Sequence, residues 1–179
     1  MKTFIASGIA AAALVSAASA DVTFSFTNQV WTGFNFTEAY AAGSLTGTLT
    51  GVSVNATLNA STNFTYADDL CVYINPSPLS TGGLLQVGGF SNLNATQRYS
   101  WANGGSSAPG TTVTGTKTLT TGIDMAANPL QSIWIGNGYG AAGTSGTWTG
   151  TITLIGVVPA PGAVALLGLA GFCSRRRRA

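Results

Sequence analysis

The chain has 179 residues, five carboxylates, seven lysines or arginines and no histidine. Without histidine, Ser-His-Asp and Cys-His catalysis and His-ligated metal sites are excluded, and two cysteines, Cys71 and Cys173, cannot staple a disulfide scaffold. Charged residues are 7% of the chain, against roughly a quarter in soluble domains; Lys2 and Arg175 to Arg178 give the two ends +5, while Arg98 and Lys117 against five acids leave the middle at −3.

Residues 1–20 read as a secretory signal. Lys2 is followed by an apolar run from Phe4 to Val15 and by Ala18-Ser19-Ala20, a small-x-small cleavage site that would leave Asp21 as the first mature residue. The run is short for a retained membrane helix.

Residues 21–156 are expected to form one all-β domain, because Gly and Thr are abundant and Lys and Glu are scarce. Val22 to Phe26 alternates apolar and polar, as a half-buried strand does, and Gln29 to Phe36 does so less cleanly. Between Leu45 and Leu58 the apolar parity changes from odd (Leu45, Leu49) to even (Val52, Val54, Ala56, Leu58), predicting a bulge or bend near Gly51. Asp69 to Asn75 is apolar on both parities and predicts a central strand covered on both faces, ended by Pro76 and Pro78. Short strands follow at Leu84–Val87 and Gln97–Trp101, then Thr111–Thr120 and Ser132–Ile135, with Gly136-Asn137-Gly138 as a hairpin signal. Thr147 to Ile155 closes the body, with Trp148, Ile152 and Leu154 on one parity and threonines on the other. Eight to ten strands with turn clusters between them predict an antiparallel β-sandwich of jelly-roll type. A β-solenoid is the alternative, although no fixed repeat period is visible.

Residues 157–179 read as a second address. Val158, Pro159, Ala160, Pro161 and Gly162 precede an apolar stretch at 163–173, and Arg175, Arg176, Arg177 and Arg178 follow. The apolar run is marginal for a full span, but with arginines held on the cytoplasmic side it would stall a translocating chain. This tail resembles the PEP-CTERM sorting signal of Gram-negative bacteria: a short Pro-containing motif, a Gly/Ala/Leu-rich membrane stretch and a final Arg cluster. Ala160 stands where that family usually has Glu. The resemblance covers about the last 23 residues and implies an exported protein that passes through the secretion machinery. It implies a transient stay in the inner membrane, then processing by an exosortase-type enzyme that removes the tail. Delivery to the cell surface or extracellular matrix, often with exopolysaccharide, is the implied fate. A plain tail anchor is the simpler alternative.

Function in the body is less explicit. With no basic patch between the ends, nucleic-acid binding is not expected. Asp68 and Asp69 are weak calcium candidates, since adjacent strand residues point to opposite faces; a charged turn before a buried strand explains them more simply, and no cofactor is expected. Glu38, Asp68, Asp69 and Asp124 stand in no recognisable catalytic context, so a non-enzymatic protein is expected and a surface hydrolase is the less favoured reading. Trp31, Trp101, Trp134 and Trp148 with Tyr99 and Tyr139 are the aromatics that could form a sugar-stacking platform; Tyr99 and Trp101, two apart beside Asn103-Gly104-Gly105, are the best candidates and would make the body a carbohydrate-binding module or adhesin, while Trp134 and Trp148 fall in strands that read as buried. Five Asn-x-Ser/Thr sequons, at Asn35, Asn55, Asn59, Asn63 and Asn94, follow from a composition rich in Asn and Thr. Cys71, between Leu70 and Val72, is expected to be a buried, inert thiol.

Overall fold

A computed structural model describes residues 21–161. The signal with Ala18 and Ala20, Gly162, the apolar stretch 163–173 with Cys173, and Arg175 to Arg178 lie outside the described residues. The described residues form nine strands: β1 (Val22–Thr32), β2 (Phe36–Tyr40), β3 (Leu45–Thr62), β4 (Leu70–Pro76), β5 (Leu85–Val87), β6 (Gln97–Tyr99), β7 (Thr111–Asp124), β8 (Gln131–Asn137) and β9 (Ser145–Pro159).

The strands form two sheets, ordered β1-β9-β3-β7 and β2-β8-β4-β5-β6. The pairs β1·β9, β2·β8, β3·β7 and β4·β5 are all antiparallel. That nesting of distant strands, wrapped into two facing sheets, is jelly-roll topology, and it displaces the solenoid alternative, in which neighbouring rungs would stack. One feature departs from a wholly antiparallel sandwich: β6 adds to the edge parallel to β5.

Parity builds the core. Val52, Val54, Ala56 and Leu58 of β3 and Trp148, Ile152 and Leu154 of β9 face Leu70, Val72 and Ile74 of β4 and Ile133 and Ile135 of β8. The predicted parity change in β3 is a real irregularity, with register shifts between Leu49 and Gly51 on the β7 side and between Gly47 and Gly51 on the β9 side. β4 is covered on both faces as expected. Cys71 and Tyr73 point away from the core and are sealed by Leu93, with Phe36, Leu79 and Trp134 packed around them. The outer face of the other sheet carries hydroxyls, in cross-strand rows such as Thr23–Thr153–Ser53–Thr116.

Four local expectations are corrected. Val22–Phe26 and the residues after Gln29 form one strand, because Asn28 takes a left-handed conformation (φ 48°) and a bulge lets the ladder continue past it. Gly136-Asn137-Gly138 is not a hairpin turn; β8 and β9 lie in different sheets, so the chain crosses between layers there. Trp101 lies beyond β6, which ends at Tyr99. β9 carries the body past residue 156 to Pro159: Val157 is core, Val158 pairs with Thr46, and the Ala160 N–H donates to the Ser44 carbonyl at 2.8 Å.

The exposed edge strand β7 is capped by side chains. Asn103 Oδ1 accepts the Thr114 N–H at 2.8 Å, Tyr99 Oη accepts the Thr120 N–H at 2.7 Å, and Gln97 Oε1 accepts the Thr121 N–H at 3.2 Å. Lys117, opposite the core residue Val52, places a charge on the inner parity of the same strand, a device that discourages edge-to-edge pairing.

Candidate functional site

At one end of the sandwich four connections are tied together by backbone hydrogen bonds. The β1–β2 turn meets the β8–β9 loop through Gly33 N–H to Thr144 O at 2.9 Å. The β3–β4 connection meets the same loop through Gly138 N–H to Asp69 O at 2.7 Å, and the β5–β6 connection through Gly89 N–H to Asp68 O at 3.0 Å. Ser91 N–H to Gly138 O, at 2.9 Å, closes the ring. Main-chain bonds of this kind hold loop side chains in place without depending on those side chains.

Two adjoining concavities open on this end. The first, of about 160 Å³, is lined by Phe64, Tyr66, Asp69, Phe90 and Tyr139. The second, of about 370 Å³, shares Tyr66, Asp69 and Phe90 and continues over Asp68, Arg98 and Trp101. Phe64 and Phe90 are each 75% exposed, unusual for the largest apolar side chains. Phe90 and Tyr139 meet edge-on, with ring centroids 5.6 Å apart and planes at 84°.

Phe64 is held out by a strained backbone. Asn63 and Phe64 both take positive φ, 51° and 61°, a region that a bulky residue rarely adopts. The turn is fixed by Asn63 Nδ2 donating to Gly143 O at 3.0 Å, and by Ser61 Oγ donating to Thr65 O at 2.7 Å. Backbone strain of this kind concentrates at ligand clamps and active sites, which makes this turn a candidate.

Asp69 closes the one-turn 3-10 helix Ala67–Asp69: its Oδ2 accepts the Tyr66 N–H at 2.7 Å and its own N–H donates to the Tyr66 carbonyl at 3.2 Å. It is only 5% exposed. Burial pushes its carboxyl up to about 6; the Tyr66 N–H opposes this, and the like charge of Asp68 adds to it. Burial also raises Asp68.

The residues singled out in the sequence fall as follows. Asp68 and Asp69 come together at the site, but among the described residues no third His, Cys, Asp or Glu joins them into a metal-holding group, and calcium needs six to eight oxygens. Glu38 lies apart on β2, and Asp124 Oδ1 accepts the Ala126 N–H at 2.9 Å in a turn. Trp101 is corrected from a stacking surface to a core residue: it is 6% exposed and donates its indole N–H to the Leu70 carbonyl at 2.7 Å. The other three indoles are also committed, Trp31 to Thr37, Trp134 to Asn75 and Trp148 to Ala67. Tyr99, half-buried, spends its hydroxyl on Gln97 and Thr120. Cys71 is fully buried and its thiol is pushed well above the ordinary range by burial. Asn59 and Asn63 use their amides in internal hydrogen bonds.

Of the aromatic lining, Tyr139 is among the aromatics named from the sequence, whereas periodicity does not single out Phe64, Tyr66 and Phe90, because they sit in connections. The available signal was large aromatics flanked by turn-formers, as in Asn63-Phe64-Thr65 and Gly89-Phe90-Ser91. No protein-family model, curated protein or solved structure matches the chain.

Proposed function

We propose that this is an exported, non-enzymatic cell-surface or matrix protein whose jelly-roll body binds polysaccharide through the aromatic concavity at one end. The observation that carries this reading is the pair of strongly exposed rings, Phe64 and Phe90, at a recess that also offers the Asp69 carboxylate. Sugar rings present apolar C–H faces and hydroxyl edges, so aromatic faces beside fixed hydrogen-bond acceptors suit them. Export and sorting rest on the chain's two ends: the signal at 1–20, and the motif, apolar stretch and Arg175 to Arg178 that resemble an exosortase-processed tail.

Affinity electrophoresis of the full chain through gels containing neutral, amino and acidic polysaccharides tests the binding claim. Retardation by at least one polymer, lost in Phe90→Ala and Tyr139→Ala, is expected; equal mobility in every gel overturns it. Cell fractionation with mass spectrometry of both termini tests the sorting claim. A full-length chain retained in the inner membrane, tail included, overturns that part.

A further inference from the structure

Four rings and one carboxylate line the smaller cavity, and that combination is more specific than a general sugar platform. The Phe90 and Tyr139 rings stand at right angles, so they form two walls of a box rather than one flat surface; Phe64 and Tyr66, from the β3–β4 connection, also line it. Aromatic faces carry negative quadrupole density and attract a cation placed over them within about 6 Å. Asp69 lines the box with a carboxylate whose one acting charged neighbour, Asp68, has the same sign. Arg98 belongs to the adjoining concavity, where its guanidinium donates to the Phe90 carbonyl at 2.9 Å. The box therefore presents one carboxylate, held by the Tyr66 and Phe90 main chain, and no cation among its lining residues.

We infer that the cavity lined by Phe64, Tyr66, Phe90, Tyr139 and Asp69 receives a positively charged amine, and that the ligand is a glycan bearing free amino groups. The second half of that statement rests on the polysaccharide reading above; the first does not. A protonated amino sugar would set its ammonium against Asp69 and its C–H groups against the rings, with the next sugar lying over the larger concavity beside Asp68 and Arg98. The body's net charge of −3 favours approach of such a polymer and disfavours an acidic one.

Cation binding favours ionised Asp69, so affinity should rise with pH as that carboxyl loses its proton near pH 6. The other titratable groups facing it are Asp68 from the same turn, Arg98 from β6, the Tyr66 and Tyr139 phenols, and Cys71 behind it.

The test uses the full chain and three matched oligosaccharides, of glucosamine, N-acetylglucosamine and glucose, with tetramethylammonium chloride as a sugar-free cation, read by calorimetry and by NMR shifts of the Tyr66 and Tyr139 rings. The glucosamine oligomer should bind at least tenfold more tightly than the other two. Asp69→Asn should abolish that preference, and Phe90→Ala should weaken all binding while leaving the thermal midpoint unchanged. Tetramethylammonium, whose charge is independent of pH, should bind more tightly at pH 7 than at pH 5. Equal affinity for the three oligosaccharides overturns the cation inference and leaves polysaccharide binding standing. Ring shifts with tetramethylammonium but no binding of any oligosaccharide overturn the glycan half alone. No response to any of the four overturns both.

Discussion

Gly88 and Trp101 occupy space that neither can yield: a Cβ on Gly88 would overlap the indole nitrogen of Trp101 and the Leu70 carbonyl to which that nitrogen donates. Gly88 also has φ +78°, where only glycine is unstrained. Gly88→Ala should therefore unfold the β4–β5 region, with a large fall in thermal midpoint. Trp101→Ala should cost about 3–5 kcal/mol, and Trp101→Phe about 1–3 kcal/mol through the orphaned Leu70 carbonyl. Chemical denaturation measures all three. If Trp101→Phe instead left stability unchanged and removed polysaccharide binding, the indole would be a ligand contact after all.

Phe64 offers the opposite trade. Its left-handed backbone costs an L-residue about 1–2 kcal/mol, and its ring, 75% exposed, returns little burial in the free protein. Asparagine tolerates this conformation. Phe64→Asn should raise stability by up to about 1 kcal/mol while weakening ligand binding; a loss of stability would show that the ring is a packing element.

The buried carboxyl of Asp69 sets a pH dependence whose sign can be stated. Its folded value, about 6, lies above the ordinary 3.8, so between those values the folded state holds more protons than the unfolded state. The associated stabilisation is full below about pH 3.8 and is lost as pH rises through about 6. Asp68 acts in the same direction. The thermal midpoint should fall between about pH 4 and 7, and Asp69→Asn, which keeps an acceptor for the Tyr66 N–H, should flatten that slope. A midpoint that climbs over this range contradicts the assignment.

Edge capping of β7 predicts a solubility phenotype. Asn103→Ala combined with Tyr99→Phe removes the acceptors of both the Thr114 and the Thr120 N–H. Bare edge donors recruit other strands. Light scattering should show concentration-dependent association of the double variant at a temperature where the parent protein stays monodisperse; unchanged scattering would mean that Gln97 and Lys117 suffice to guard the edge.

The sandwich was legible because its signals are local. The parity change at Gly51, the doubly apolar run from Leu70 to Ile74 and the Trp148–Ile152–Leu154 stripe each record which face of a strand meets the core. The turn at Gly136-Asn137-Gly138 misled because glycine and asparagine announce a change of direction, not which sheet the chain enters next. The site was less legible still. Phe64, Phe90 and Tyr139 lie in three separate connections and are joined only by the nesting of distant strands. Trp101 illustrates the converse: an aromatic beside a glycine-rich loop reads as exposed, and only the gap left by Gly88 shows where it goes.

β9 lies between β1 and β3 and keeps its pairing to Pro159, with Ala160 still bound to Ser44. A pull on the chain from its C-terminal side would enter the body along this central strand. Antiparallel hydrogen bonds lie across the strand axis; the load meets the β3 ladder first, because pairing with β1 begins only at Leu154. A body held by that end would therefore take traction on one ladder where the load enters, and on two only from Leu154 inward.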